Sequence, residues 1–190
     1  MTRIDLQQFC SKDATRFYIM KPWSRGPFTY ATNGHICVRV DAVGGDEERS
    51  EAPNADVVLS RHPDPHFAPL RVKLPDTPRK TCEICSGTGI WFDHPTKGIH
   101  ETCKNCDGEK TLEIMQSVLI GGVPFASKCI NQIAALPGAE FPVNPLPVEK
   151  DYRKQLPTPF RFTGGIGALM PMRSEGDVHL GDLGGYRVTM

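Results

Sequence analysis

The chain has no excess of either charge: across 190 residues, 22 Lys and Arg stand against 22 Asp and Glu. A protein that neutralises many phosphates usually carries a basic surplus, so any nucleic-acid role must come from a local patch. Long apolar runs are missing as well. The longest, residues 118–126, contains two glycines and a proline and falls far short of the roughly 20 residues needed to cross a bilayer. No transmembrane helix and no membrane partner are expected. The opening MTRIDLQQFCSKD has acids and amides where a secretory signal needs an apolar core, so the expected location is the reducing cytoplasm.

Catalytic signatures are also lacking. Gly108-Glu-Lys-Thr has neither the upstream glycine nor the Gly-Lys pair of a P-loop, and Gly164-Gly165-Ile166-Gly167 follows a strand pattern without opening a helix. Neither Gly-x-Ser-x-Gly nor His-Glu-x-x-His occurs. The chain therefore reads as a non-enzymatic binding protein.

What is abundant is punctuation. Eighteen glycines and 17 prolines interrupt the chain too often for a helical bundle yet stay below the disordered range. The expected class is α+β, a mostly antiparallel sheet with two short helices. Ile4, Leu6, Phe9 and Cys10 have the spacing of the first helix, and Phe17-Tyr18-Ile19-Met20 reads as a strand. Two alternating runs about Asn33-Gly34 predict a hairpin with a type I′ turn, burying Ile36, Val38 and Val40 and leaving Cys37 and Arg39 on the other face. Further strands are expected near Val57, over residues 70–74 and within 112–125. The second helix follows over 126–136, with Cys129, Ile130, Ile133 and Ala134 on one face and a stop at Pro137-Gly138. A second hairpin is expected about Gly164-Gly165, followed by a glycine-rich tail over 174–190. His62 and His66 invite a metal reading, but Pro63 and Pro65 hold that segment extended with no third ligand nearby.

Four of the seven cysteines fall in one window, Cys82-x-x-Cys85 and Cys103-x-x-Cys106, with 17 residues between the pairs. This spacing is that of a zinc site made from two knuckles. Four thiolates close a tetrahedral shell and leave no place for water, so the metal, one Zn2+, is structural. Disulfide pairing is the alternative, at odds with a reducing compartment. His94 and His100 lie in the connecting loop, and Trp91 and Phe92 on its arm can meet a partner surface or pack over the knuckles. From Arg79 to Lys110 five basic residues face five acidic ones, so the finger carries no basic footprint.

The strings CEICSGTG and CKNCDGEK resemble the C-x-x-C-x-G-x-G repeats of the DnaJ-type zinc-finger family. The first matches fully; the second has Lys110 where the last glycine belongs. The resemblance implies zinc binding, and more distantly a chaperone or thiol-redox accessory that binds unfolded polypeptide, although the J-domain is missing.

Two further strings flank the finger. Ala31-Thr32-Asn33-Gly34-His35 and Ala168-Leu169-Met170-Pro171-Met172-Arg173 resemble the A-T-D-G-H turn and closing V-M-P-M-R strand of the bacterial DNA polymerase sliding clamp. Asn33 replaces the family's aspartate and Ile36 its arginine. The resemblance implies a clamp-like domain over 1–78 and 112–173, interrupted by the finger at 79–111. It also implies a groove in which Thr32, Gly34, His35, Met170, Pro171, Met172 and Arg173 bind a peptide from a replication or repair protein. Methionines offer adaptable apolar surface and Pro171 leaves an edge incompletely paired, which suits an extended ligand. Direct DNA contact is a third reading, through Arg3, Lys12, Arg16, Lys21 and Arg25 with Lys150, Arg153, Lys154 and Arg161 in support.

Overall fold

The computed structural model describes residues 4–42, 51–60, 65–92, 100–151, 155–172 and 186–188. The chain divides into two compact units, Met1–Leu74 with Ser117–Met190, and Pro75–Gln116. The class is α+β: mostly antiparallel sheet with a few short helices.

In the larger unit a 3₁₀ turn, Leu6–Phe9, is capped by Asp5, whose carboxylate accepts the Gln7 N–H. Strands β1 (Trp23–Arg25), β2 (Phe28–Thr32) and β3 (Ile36–Asp41) form a meander, and α1 (Asp56–Leu59) and β4 (Phe67–Pro69) complete the first half. The smaller unit holds β5 (Arg79–Thr81), β6 (Ile90–Phe92), β7 (His100–Thr102) and β8 (Thr111–Glu113). The larger unit then resumes with β9 (Ser117–Ile120), β10 (Val123–Ala126), α2 (Ser127–Ala134), β11 (Glu140–Pro142), β12 (Thr158–Phe162), β13 (Gly165–Leu169) and β14 (Tyr186–Val188). Seven of its strands form one antiparallel sheet in the order β1-β2-β3-β13-β12-β11-β4. A second sheet, β10-β9-β14, adds the tail strand parallel to β9.

Both faces of the large sheet's centre are covered. On one, Ile36, Val38, Phe160 and Leu169 join Val118 and Phe125 of the second sheet and Ile130 and Ile133 of α2. The expected helix face is thus the buried one, with Cys129 beside it and Ala134 packed against its margin. On the other, Tyr30, Cys37 and Ala168 meet Ile19, Trp23, Ala55 and Leu59. Ile36, Val38 and Val40 lie inside as expected, but Cys37 is buried as well, because α1 and the N-terminal segment cover the face it points to. Gly167 has a specific task. A Cβ there would stand 2.1 Å from the Phe160 ring and 2.6 Å from the Cys37 carbonyl, so the third glycine of the Gly-Gly-Ile-Gly string makes room for a core ring across the strand.

Several local expectations are corrected. Residues 17–20 are not a strand: Ala14–Ile19 is a 3₁₀ segment begun by Asp13, which accepts the Thr15 N–H. The Ser11 N–H donates to the Ile19 carbonyl at 3.0 Å, closing the segment on itself, and no described strand pairs with it. Val57 lies in α1, not in a strand. Residues 70–74 form no strand, which instead lies at Phe67–Pro69 against β11; Leu70 donates to Ala139, and both backbone polar groups of Leu74 are taken by the Asn131 amide. The first hairpin forms, with Thr32 opposite Cys37, but its turn centres on Gly34-His35. Gly34 has a φ of +91° while Asn33 does not take a positive φ, and a type I′ turn needs both central residues there. The Asn33 carboxamide instead accepts the His35 and Ile36 N–H groups. The second hairpin, β12–β13, forms as expected, but its turn is Thr163-Gly164, one residue earlier, because Gly165 already pairs with Phe162. Among the described residues no helix is long and apolar enough to cross a membrane.

Candidate metal centre

In the smaller unit the two C-x-x-C pairs meet. Cys82 Sγ lies 3.9 Å from Cys103 Sγ, Cys85 Sγ lies 3.7 Å from Cys106 Sγ, and all four sulfurs are within 4.8 Å of one another. Four sulfurs held tetrahedrally at about 2.3 Å from zinc would be about 3.8 Å apart, whereas a disulfide would bring a pair to about 2.05 Å. All four cysteines are free thiols and buried. The cluster therefore could hold one zinc ion, and its dimensions fit that metal.

The backbone explains how short chain segments aim four sulfurs inward. After Cys82 and Cys103, 21 residues apart, the chain makes the same turn twice. Gly87 and Gly108 donate to the Cys82 and Cys103 carbonyls, while Thr88 and Glu109 donate to those of Cys85 and Cys106. The left-handed positions also repeat: Ser86 with Asp107 at φ 48°, Gly87 with Gly108 at 77°, and Gly89 at 79° with Lys110 at 68°. Cys103 N–H donates to Gly89 and Cys82 N–H to Lys110, so each knuckle is tied to the end of the other. Two ribbons, β5–β8 and β6–β7, flank the turns in the same exchanged relation. Lys110, the departure from the glycine pattern, therefore occupies a backbone conformation that ordinarily favours glycine.

Donors around the sulfurs fit thiolate chemistry. The Asn105 amide donates to Cys82 Sγ at 3.3 Å and the Gly89 N–H to Cys85 Sγ at 3.3 Å. The Asn105 hydrogen bond draws the Cys82 thiol down to about 6, while burial and the neighbouring sulfurs push Cys106 up to about 12. Four crowded thiols cannot all ionise without a cation, and a metal reverses that balance. Asn105 was not singled out from the sequence; its signal was an amide between the two cysteines of the second knuckle. Leu112 packs against the cysteines, whereas Trp91, a candidate for that place, is 39% exposed. His94 and the side chains of Phe92 and His100 lie outside the described residues. Lys80 pairs with Glu83, Lys104 with Glu101 and Arg79 with Glu109, so three of the finger's four described Lys and Arg side chains face acids.

In the larger unit the two flanking strings are neighbours. Register pairs Leu169 with Ile36, and the Met170 N–H donates to the His35 carbonyl at 2.8 Å. Thr32 Oγ1 accepts the Gly34 N–H and donates to Ile36, and the Met172 N–H donates to Pro124. Gly34 and His35 are exposed, Thr32, Met170 and Met172 half-buried, and Pro171 buried; Arg173 lies outside the described residues. The basic candidates do not behave alike. Lys12, Arg16, Lys21 and Lys150 are exposed and Arg25 is half-buried, whereas Arg161 pairs with Glu140 and lies over the Phe67 ring. Arg3, Arg153, Lys154 and His62 fall outside the described residues. Comparison of the chain with protein-family models, curated proteins and solved structures finds no match.

Proposed function

We propose that this chain is a non-enzymatic protein-interaction module stabilised by one structural zinc ion, with Cys82, Cys85, Cys103 and Cys106 as its ligands. The observation that carries this reading is the cluster of four buried sulfurs, all within 4.8 Å of one another and two pairs of them at 3.7 and 3.9 Å. Such a shell leaves no position for substrate or water and contributes folding free energy, not hydrolysis. The smaller unit also concentrates apolar surface. Ile84, Ile90, Trp91, Ile114 and Met115 are five of the nine exposed large apolar side chains among the described residues, on less than a quarter of the chain. A polypeptide partner suits that surface better than nucleic acid, since three of its four described Lys and Arg side chains already face acids.

A second binding element is the sliding-clamp-like groove at Thr32, Gly34, His35, Met170, Pro171, Met172 and Arg173, which would link the protein to DNA replication or repair. Its support is the hydrogen bond that draws the two strings together and the adaptable surface of Met170 and Met172. The test begins with metal analysis of the purified chain: one zinc is expected, and no metal with two disulfides would sink the structural-zinc claim. Titration with a clamp-binding peptide and with a permanently unfolded polypeptide then separates the two surfaces. Met172→Ala should weaken only the first ligand and Met115→Asp only the second. Thiol–disulfide turnover of insulin would replace both readings with a redox role.

A further inference from the structure

The larger unit carries an exposed aromatic pair that its packing does not explain. The Ser11 to Ile19 hydrogen bond closes a loop, and Gln7 Nε2 donates to the Met20 carbonyl behind it. Ile19 is buried at the base. The two preceding residues do the opposite: Phe17 is 62% and Tyr18 39% exposed, their ring centroids 5.6 Å apart and nearly perpendicular. Single exposed apolar residues are ordinary, but an adjacent aromatic pair on a tied loop is not scattered surface. The charge around it is also uneven. Residues 12–25 contain Lys12, Arg16, Lys21 and Arg25 against the single acid Asp13 in a chain of zero net charge. Asp13 is engaged by Arg16 and Thr15, and Arg16 is held by the Asn33 carbonyl. Lys12 and Lys21 stand at the two ends of the closed loop, exposed and with no ion pair among the described residues.

We propose that this loop binds single-stranded nucleic acid, the Phe17 and Tyr18 rings stacking on bases while Lys12 and Lys21 contact the phosphates. Rings supply π-faces that any unpaired base can use, and flanking cations follow the backbone. A duplex hides its base faces and offers the rings nothing. A lipid surface fits less well, because the loop offers only two large apolar groups and carries Asp13 and Thr15 beside them. The site lies in the larger unit and uses none of the residues assigned to the zinc or to the peptide groove, although Arg16 ties the loop to the Asn33 turn beside that groove.

The experiment is fluorescence anisotropy of a labelled oligothymidylate titrated with the full-length, zinc-loaded protein, across a range of salt. Phe17→Ala and Tyr18→Ala should each weaken binding by about fivefold or more, the low end for losing one stacked base. Lys12→Gln with Lys21→Gln should flatten the plot of log K against log salt by about 1.4. Phe17→Trp keeps a π-face and should bind like the parent. If Phe17→Ala lowers the melting temperature, Phe17→Leu repeats the test with the apolar bulk retained. Failure to bind the oligonucleotide at low salt overturns the proposal. So does equal affinity for the matching duplex, unchanged binding by the doubly substituted Phe17→Ala, Tyr18→Ala chain, or capture by phosphatidylserine vesicles in place of the oligonucleotide.

Discussion

Among the described residues of the larger unit, Phe125, Phe141 and Phe160 are almost completely buried, and Phe125 meets Phe141 edge-on with centroids 5.2 Å apart. Among the described residues of the smaller unit the buried side chains are the four cysteines, with Leu112 packed at their margin. The first arrangement removes a large apolar area from water and is held by the hydrophobic effect. Among its described residues the second buries too few apolar side chains to offset the entropy of ordering its chain, and a metal held by the four sulfurs would supply what a core does not. The same contrast appears in the use of cysteine. Cys37 and Cys129 are packed thiols that burial pushes up to about 12 and about 11, while Cys82 is drawn down to about 6 by the Asn105 amide. One residue type serves as a small hydrophobe in one unit and as a candidate anionic ligand in the other.

Breaking the metal set should give the largest effect. Chelation, or Cys103→Ser, removes zinc binding worth about 10–16 kcal/mol in small zinc-folded domains. Amide NMR should then show residues 79–113 losing dispersion while Phe160 and its neighbours keep theirs. Collapse of both sets together would show that the larger unit has no independent stability. Phe160→Ala reverses the experiment: a loss of about 3–5 kcal/mol is expected in the larger unit, read by denaturant unfolding, with one zinc still bound per chain.

The two units should also fail at opposite ends of the pH scale. Zinc ligands must be thiolates, so metal is released as acid protonates them, and a zinc-sensitive dye should report release on the acid side. Cys37 and Tyr30 are instead protonated acids whose folded values, about 12 for each, lie above their ordinary 9 and 10 because burial disfavours the anion. The folded state holds those protons more tightly than the unfolded chain. Its stability is therefore complete below about 9 and declines as pH rises toward 12. Far-UV melts across that alkaline window should show the decline, with Cys37→Ala reducing its slope. The smallest effect belongs to Lys110, at φ 68°. Lys110→Gly should stabilise the zinc-bound finger by about 1 kcal/mol, seen as slower zinc transfer to a chelator.

How much the residues disclosed follows the range of the interactions involved. The knuckles, α2 and the β12–β13 hairpin depend on neighbours a few positions apart, through ligand spacing, helical periodicity and turn glycines, and each was legible. Residues 17–20 and 57–59 have strand-like composition, yet no described strand pairs with their backbone; a cap at Asp13 and a short helical turn at Asp56 take it instead. Asn105 was hidden for another reason. Its partner, Cys82, is 23 residues away, and nothing in its own neighbourhood points there.

The sequence alone determined that four thiols would be gathered into one site, because the spacing within each knuckle and the glycines after it fix the local turns whatever surrounds them. Only the tertiary structure decided that both faces of the large sheet are covered and that Cys37 is buried. It likewise decided that the His35 turn and Met170 share a hydrogen bond, and that Phe17 and Tyr18 remain outside while Ile19 goes in. Those outcomes depend on which distant segment lies against a given face, and no local pattern encodes that choice.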